Sequence, residues 1–196
     1  MIPPFRAFDW LPFAALIDNS VLVVHGGIGS GVWVNGSTFF RPDIDWLDAK
    51  GALRPIRCTD PLHPSVPAAS KARMSHLHNI VWSDPTVQCP GPAEWQPHFM
   101  PNTDRGGGVA AVDNPIVKFN AGITKEFCER NHISMVIRSH QVTETGYELQ
   151  HNGLLCTVFS ARNYAGALKN DAAMVLLQPD ERGRIHCKFK TLRHLD

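Results

Sequence analysis

The sequence carries almost no net charge and lacks any long apolar run. Its formal charge is +1 at pH 7, which gives no electrostatic reason to expect nucleic acid or an anionic membrane as a partner. No stretch approaches the roughly 20 apolar residues that cross a bilayer, and the N-terminus lacks the basic segment and apolar core of a secretory signal. We therefore expect a protein of the cytoplasm or the nucleus.

Paired cysteines are also missing. The five cysteines are scattered, odd in number and never in a Cys-x-x-Cys pair, which argues against a disulfide framework or a structural zinc site and favours a reducing compartment. Each is most simply a small buried side chain. With 196 residues and 43% hydrophobic content, the chain is long enough for one globular domain with a substantial core and too short for a second domain.

Two apolar segments lead to a histidine. Residues 21–24 run into His25 and two glycines, and residues 133–137 run through Arg138 and Ser139 into His140. Such runs predict buried strands, and α/β proteins place their chemistry at the carboxyl ends of these strands. Two strand-end histidines far apart in sequence suggest one shared metal site, although an isolated histidine of this kind is more often a hydrogen-bonded core residue.

Six motifs follow one another along the chain. They are Trp10-Leu11-Pro12-Phe13-Ala14-Ala15-Leu16-Ile17, His25-Gly26-Gly27-Ile28-Gly29, Trp82-Ser83-Asp84-Pro85, Asp104-Arg105-Gly106, Arg138-Ser139-His140 and Ser160-Ala161-Arg162-Asn163-Tyr164-Ala165-Gly166. In this combination, from about Phe5 to the C-terminus, the chain resembles the PPP family of metal-dependent serine/threonine protein phosphatases. The His-Gly-Gly-Ile-Gly form is similar to that of the family's kelch-linked branch.

The resemblance implies an α/β fold, a metallophosphoesterase (calcineurin-like) sandwich with metals at the strand ends. Three motifs that open the family's catalytic domain, Gly-Asp-x-His-Gly, Gly-Asp-x-x-Asp-Arg-Gly and Gly-Asn-His-Glu, do not occur in this sequence. Residues 1–196 therefore look like a partial catalytic domain, its C-terminal half, with mainly one mixed sheet, flanking helices and a loop-rich insert at about 30–74. An unpartnered sheet face would expose apolar surface, so we expect the isolated chain to be marginally stable, oligomeric or dependent on a partner.

By the resemblance, His25 and His140 are ligands of one metal in a dinuclear centre. Two divalent metals, Mn, Fe or Zn, are expected in the complete family site. This chain supplies ligands for one of them only. We therefore expect it to have little or no phosphatase activity by itself.

Two further residues correspond to catalytic positions of the family. Arg105, in a glycine-rich loop, is implied to hold the substrate phosphate with its guanidinium fork, and Tyr164 is implied to line the active site with its hydroxyl. The alternatives are a solvated loop arginine and a loop tyrosine that packs on the sheet. Supporting roles are expected for Asp84, which could orient a metal ligand or accept from a histidine, and for Asn163, which could fix the Tyr164 loop.

Structural roles are expected for Arg138, and an effect on the cleft or its loop is expected for Arg162. Arg138 is expected to form a buried ion pair, with a carboxylate of an irregular region, rather than to touch substrate. Arg162 departs from the family pattern, which has proline or a small residue there. Its side chain is therefore expected either to reach the cleft or to alter the loop that presents Tyr164.

The first functional hypothesis is a serine/threonine protein phosphatase, which hydrolyses phosphoserine or phosphothreonine in phosphoproteins and has regulatory subunits as further partners. The alternative is a non-catalytic regulatory or interaction module that keeps the family's partner-binding surface without its chemistry. A phosphodiesterase acting on nucleotides or nucleic acid is a weaker third hypothesis. The Trp-Ser-Asp-Pro motif and the neutral charge disfavour it.

Apolar patterns and turn signals predict the secondary structure. Asp9 to Asp18 predicts a short helix and Asn79 to Trp82 a brief strand. Ile123 to Asn131 predicts a helix capped by Thr124. Four later strands are predicted, the third internal and the fourth half exposed, with a tight turn at Asn152-Gly153 between the first two. These strands are Gly146 to Leu149, Leu154 to Phe159, Ala172 to Leu177 and Arg184 to Lys190.

Overall fold

The structure is a computed structural model, and it describes residues 14–30, 78–86, 96–105 and 116–194. Strands dominate these ranges and one long helix interrupts them, so the predicted α/β class is confirmed. Most of the insert predicted at about 30–74 and the first part of the helix predicted from Asp9 lie outside the described residues. No helix in the described ranges is long and apolar enough to cross a membrane.

A five-stranded mixed sheet forms the centre of the fold. Its strands are β1 (Ala14–Ile17), β2 (Val21–Val24), β6 (Met135–Arg138), β7 (Tyr147–Gln150) and β8 (Leu155–Val158). Their spatial order is β1-β2-β6-β8-β7, with parallel pairing from β2 through β6 to β8 and antiparallel pairing at both outer strands. The parallel strands end at one edge of the sheet, and the two histidine motifs lie at this edge.

Apolar residues cover both faces of this sheet. Leu22 and Val136 belong to one buried cluster, whereas their neighbours Val21 and Ile137 belong to another. Successive strand residues point to opposite faces, so the two clusters lie on opposite sides of the sheet. The expectation of an unpartnered sheet face is therefore wrong for the described part of the chain.

The second face is covered by a hairpin of β9 (Ala172–Pro179) and β10 (Ile185–Leu192). The ring of Phe189 in β10 stacks on Tyr147 of β7 with centroids 4.2 Å apart. The predicted half-exposed character of the last strand is confirmed by its alternating burial. The prediction that β9 is internal is wrong, since among the described residues it pairs with β10 alone and Met174 is 57% exposed.

The first face is covered by helix α1 (Ala121–Asn131) and a small sheet. That sheet has the order β3-β5-β4, from β3 (Asp84–Pro85), β4 (Phe99–Pro101) and β5 (Val117–Phe119). The predicted helix is present, but its N-cap is Asn120 rather than Thr124. The Asn120 Oδ1 accepts from the Ile123 backbone N–H at 3.1 Å, whereas Thr124 is buried one turn further on and its hydroxyl bonds elsewhere.

Two predicted elements have the wrong type. The described part of the helix predicted at Asp9 to Asp18 is strand β1, because Asp18 and Asn19 both have left-handed backbones and, with Ser20, form the three-residue connection to β2. Short connections of this kind are common between paired antiparallel strands. The strand predicted at Asn79 to Trp82 is wrong as well, since residues 78–82 are helical and the Ser83 N–H donates to the Asn79 oxygen at 2.9 Å.

The three described cysteines carry free thiols, as expected. Burial raises the pKa of Cys128 and of Cys156 to about 12. Both therefore stay protonated and unreactive at neutral pH. Cys58 and Cys89 lie outside the described residues.

A buried histidine in the turn between β7 and β8 contacts helix α1 and the residue that follows β3. His151 is 4% exposed; its Nδ1 lies 2.8 Å from the Thr124 Oγ1 and its Nε2 lies 3.4 Å from the Thr86 backbone oxygen. Burial lowers the pKa of His151, and the bond to Thr86 offsets this only in part. The imidazole is therefore neutral in the folded protein at neutral pH.

The protein is expected to lose stability as the pH falls below about 6.5, the ordinary histidine pKa. In that range the unfolded chain binds a proton at His151 that the folded protein does not bind. The free energy of unfolding should then fall by up to about 1.4 kcal/mol per pH unit for this group, until the lowered pKa is reached. Above about pH 6.5 the group should contribute no slope.

Urea unfolding of wild type and His151→Asn at several pH values between 5 and 8 measures this effect. Asparagine tolerates the left-handed backbone at residue 151, so the variant keeps the turn. The variant should show the shallower slope. An equal slope in both proteins would assign the acid sensitivity to other groups, His25 and His140 among them, whose pKa values are also lowered.

Candidate functional site

The structure brings His25 and His140 together at the carboxyl ends of β2 and β6. These strands are parallel neighbours, with Val23 opposite Ile137, so both strands end at the same level of the sheet. The His140 Nδ1 lies 3.2 Å from the His25 Nε2, and the ring centroids are 4.9 Å apart. The predicted juxtaposition is therefore present, while the ligand role of the two residues stays a prediction.

The separation of the two imidazole nitrogens fits two ligands of a single cation. Nitrogen ligands lie about 2.0–2.1 Å from zinc, and two of them at a tetrahedral angle are about 3.3 Å apart. Among the described residues, the buried Nε2 of His140 has no hydrogen-bond partner. Within the described ranges, however, no group of three or more His, Cys, Asp or Glu side chains could hold a metal ion, so the pair amounts to part of a ligand set.

Both histidines are held in the neutral form that binds metals. Burial lowers the pKa of His140 to about 4, and the positive charge of Arg105 adds to the effect. The pKa of His25 is lowered by burial and by the charges of Arg138 and Arg105. Neutral imidazole is the ligand form, so no proton has to be displaced at neutral pH.

The first glycine after the β2 histidine lets another segment approach closely. The Gly26 N–H donates to the Ile80 carbonyl oxygen at 2.7 Å, and a Cβ at Gly26 would lie 2.5 Å from the backbone of the helical turn 78–82. This contact carries Trp82 to the site, where its ring meets His140 edge to face with centroids 5.2 Å apart. Any residue larger than glycine would push the tryptophan away.

Arg138 lies at the buried centre of the site, with a side chain that is 0% exposed. Its Nε donates to the Gly26 carbonyl oxygen at 2.5 Å and its Nη1 donates to the Gln141 Oε1 at 2.8 Å. Its Nη2 donates to the Asp84 Oδ1 at 2.8 Å. Burial lowers the pKa of Arg138 to about 10 although the Asp84 carboxylate opposes this, so the guanidinium remains charged at neutral pH.

The predicted buried ion pair of Arg138 is present, but its carboxylate comes from the Trp-Ser-Asp-Pro motif and not from the irregular region. Through it, β6 is joined to the backbone beside His25 and to the segment that carries Asp84. The strand ends that bear the two histidines are thereby held by one guanidinium. Sequence spacing contains no signal for this arrangement, because the three segments meet only in the folded chain.

Asp84 binds arginines and an amide rather than a histidine. Its Oδ2 accepts from the Arg105 Nε at 3.0 Å and from the Asn102 Nδ2 at 2.8 Å. Burial by itself would raise the pKa of Asp84, but the bonds from Arg105 and Asn102 and the charge of Arg138 hold it below the ordinary aspartate value. Sequence reasoning missed Asn102, which is fully buried after β4 and carries no motif.

The guanidinium of Arg105 is fixed along one edge and open along the other. Its Nε donates to Asp84 and its Nη2 donates to the His140 backbone oxygen at 3.3 Å. The Nη1 has no hydrogen-bond partner in the part of the chain that the structure describes, and the side chain is 27% exposed. Two guanidiniums share one carboxylate here, so the site carries a net positive charge that suits an anion.

Tyr164 lies on a short loop between β8 and β9. Its ring packs edge to face on Phe159 with centroids 5.2 Å apart, and the residue is 50% exposed. It makes no hydrogen bond or ring contact with the described residues His25, His140 and Arg105. The packing alternative for Tyr164 is therefore what the described contacts show, and its catalytic role stays a prediction.

The two residues before Tyr164 are tied to other parts of the chain. Asn163 makes a contact of the expected kind, since its Oδ1 accepts from the Lys169 backbone N–H at 3.4 Å across the loop; its role in fixing the loop stays a prediction. Arg162 donates to the Arg193 backbone oxygen at 3.3 Å and is exposed. This contact joins the loop that presents Tyr164 to the residue that follows β10. It corresponds to the second of the two outcomes expected for Arg162, an effect on that loop.

The chain is similar in sequence to several serine/threonine-protein phosphatases. No protein-family model matches the chain. Serine/threonine-protein phosphatase with EF-hands 1 of Rattus norvegicus is 31% identical over 182 residues, which cover 87% of this chain and 25% of that protein. Serine/threonine-protein phosphatase T of Schizosaccharomyces pombe is 32% identical over 189 residues, 96% of this chain and 32% of that protein. Serine/threonine-protein phosphatase 5 of Homo sapiens is 31% identical over 190 residues, 96% of this chain and 30% of that protein.

A solved structure of a protein serine/threonine phosphatase from Saccharomyces cerevisiae shares the fold. It superposes with a TM-score of 0.62 at 22% identity and covers 97% of this chain and 50% of that chain. The calcineurin-like fold is thereby confirmed. The chain spans about a quarter to a third of the length of the curated relatives named above.

Proposed function

Because this chain is a homologue of the serine/threonine protein phosphatases of the PPP family over most of its length, we propose that it carries the phosphate-binding part of such an enzyme. The reaction is hydrolysis of phosphoserine or phosphothreonine in a phosphoprotein. In this proposal Arg105 binds the phosphoryl group, and His25 and His140 hold one divalent metal of a dinuclear centre. The kelch-linked branch stays a prediction.

The observation that carries the proposal is the open edge of Arg105 beside the histidine pair. Asp84 and the His140 backbone hold the other edge of the guanidinium, so the terminal fork is kept in one orientation before an anion arrives. A preoriented fork loses little conformational entropy when it binds two phosphate oxygens. The surplus positive charge of the site attracts a dianionic phosphate from a distance.

Divalent metals, when bound, would lower the pKa of a water molecule and neutralise charge on the phosphoryl oxygens. The residues of this chain would present ligands to the metal and hold the site in shape. The neutral imidazoles of His25 and His140 present their nitrogens without losing a proton. Arg138 holds the two strand ends in register, and the Trp82 ring shields His140 from water.

Two histidines cannot hold two metals, so we propose that this chain has little or no phosphatase activity by itself. A non-catalytic regulatory or interaction module is the second candidate, favoured by the absence of a three-ligand group in the described ranges. The preoriented Arg105 speaks against it, because an interaction module has no need of an open phosphate fork. A phosphoprotein substrate, regulatory subunits, a cytoplasmic or nuclear location, and no role for nucleic acid or membrane are further parts of the proposal.

Replacing Arg105 by methionine is expected to weaken phosphate binding. Hydrogen bonds to charged groups contribute about 1.5–3 kcal/mol, so the affinity for inorganic phosphate should fall about 10–150-fold. Isothermal titration of the protein with inorganic phosphate, in the presence of manganese, measures this. Methionine keeps the apolar stem of the side chain and removes only the fork.

Arg162→Met is the matched control, since it removes an exposed arginine that donates to the Arg193 backbone oxygen, outside the site. It should bind phosphate as wild type does. Equal affinity of Arg105→Met and wild type would refute the phosphate-binding role. Circular dichroism of both variants checks that the fold is retained.

A further inference from the structure

The loop at residues 161–170, which carries Tyr164, has an unfavourable backbone. Asn163, Ala165 and Lys169 all have left-handed conformations, with φ of 48°, 56° and 51°. Residues other than glycine rarely adopt this backbone conformation, and alanine lacks the polar side chain that lets asparagine compensate by a local hydrogen bond. Such a loop persists only when surrounding contacts over-determine it.

One buried side chain supplies most of those contacts. Asn170 is 1% exposed, and its amide nitrogen donates to the backbone oxygens of Ala161 at 2.8 Å and Asp171 at 2.7 Å. Its Oδ1 accepts from the Tyr164 backbone N–H at 2.9 Å. Its backbone oxygen accepts from the Asn163 N–H at 3.0 Å. The start, the middle and the end of the loop are therefore joined at one residue.

The end of the loop is in turn attached to the rest of the fold. The Asp171 N–H donates to the Glu144 oxygen and the Ala173 N–H donates to the Phe159 oxygen, both at 2.9 Å. Phe159 is the residue on which the Tyr164 ring packs. Asn170 therefore lies between a rigid base and an exposed aromatic side chain.

We propose that Asn170 is a positioning residue that holds Tyr164 in a single orientation at the surface. Any role of this orientation in substrate binding rests on the proposed function, because Tyr164 is implied to line the active site only by the resemblance to the phosphatase family. Asparagine suits the position because it donates two hydrogen bonds and accepts one from the same short side chain. Aspartate has the same shape but cannot donate, and its charge would face two carbonyl oxygens.

The protein has two tyrosines, which makes the proposal directly measurable. Incorporation of 3-fluorotyrosine gives one fluorine resonance for Tyr164 and one for Tyr147, and Tyr147→Phe assigns them. Tyr147 stacks on Phe189 in the sheet and reports whether the remaining fold is intact. In Asn170→Asp the Tyr164 resonance should move to the random-coil position and sharpen, while the Tyr147 resonance stays in place.

Trypsin cleavage after Arg162 provides a second readout on the same loop. The rate should rise at least about tenfold in Asn170→Asp, because cleavage follows the population of the opened loop. Asn152→Asp is the control, since it makes the same chemical change at an exposed asparagine in the turn between β7 and β8. It should leave the Tyr164 resonance and the cleavage rate unchanged.

Asn170→Ser, which also removes the two amide donors but adds no charge, keeps the test decisive if Asn170→Asp is poorly folded. An unchanged Tyr164 resonance in both variants would overturn the proposal. Loss of both tyrosine resonances to random-coil positions in both variants would also overturn it, since Asn170 would then support the whole fold. Neither measurement uses phosphate or turnover, so failure here is separate from failure of the Arg105 test.

Discussion

Replacing Arg138 by methionine is expected to lower the free energy of unfolding by about 3–5 kcal/mol, the usual effect of breaking a buried ion pair from one side. The side chain is fully buried and its guanidinium serves Asp84, Gly26 and Gln141 at once. Without it, these acceptors lose their donor where water cannot replace it. Urea unfolding at pH 7, followed by circular dichroism, measures the loss.

Arg162→Met is the control for Arg138→Met, because the same substitution at an exposed arginine should change stability by no more than about 0.5 kcal/mol. A double-mutant cycle with Asp84→Asn isolates the ion pair. The loss in free energy of unfolding should be smaller in the double variant than the sum of the two single losses. Asp84→Asn removes the buried negative charge that Arg138→Met leaves without its partner. Additive effects, or a loss below about 1 kcal/mol for Arg138→Met, would contradict the role assigned to this pair.

The isolated chain, supplied with manganese, is expected to hydrolyse a phosphoserine peptide at least about 1,000-fold more slowly than an intact homologue such as human serine/threonine-protein phosphatase 5. A metal centre lowers the barrier by several kcal/mol, and each 1.36 kcal/mol is a factor of ten in rate. In the proposed site, two imidazoles 3.2 Å apart would supply part of one metal's ligands, and the described residues contain no group of three or more ligands that could hold a metal. Release of inorganic phosphate over time measures the rate.

The same two imidazoles should nevertheless bind one metal weakly. Even residues that only support a metal ligand change affinity about 10–100-fold, so His25→Ala and His140→Ala should each reduce Mn²⁺ or Zn²⁺ affinity by about 100-fold or more in calorimetric titration. His186→Ala, which removes an exposed histidine of β10, should have no effect. Turnover close to that of the homologue, or unaltered metal affinity in both variants, would refute the partial-centre proposal.

The strands of the second half of the chain could be predicted from the sequence alone. Strands β6, β7, β8 and β10 lie within about two residues of their predicted bounds, because alternating or continuous apolar runs reflect which side chains are buried. Strand β1 was missed because its residues are apolar at almost every position, which does not distinguish a buried helix from a strand. The decisive signal was the Asp18-Asn19 turn that follows.

The candidate site divides in the same way. The convergence of His25 and His140 was predictable, because parallel strands in one sheet end at one edge. The roles of Asn102 and Asn170 were not, since a buried amide is recognised only by the backbone and side-chain groups around it. Arg138 likewise bonds to Gly26 and Asp84, which lie on segments more than 50 residues away in the sequence.

By itself the sequence determined the class of fold, the identity of the two strand-end histidines and the relationship to one family of phosphatases. These depend on the local apolar pattern and on residue type, which are properties of the linear sequence and do not depend on how distant segments are placed. Only the tertiary structure decided that both sheet faces are covered, that Asp84 joins two arginines, and that the Arg105 Nη1 has no hydrogen-bond partner among the described residues. Hydrogen bonding and ion pairing act over a few ångströms, so these relations exist only once distant segments have been packed together.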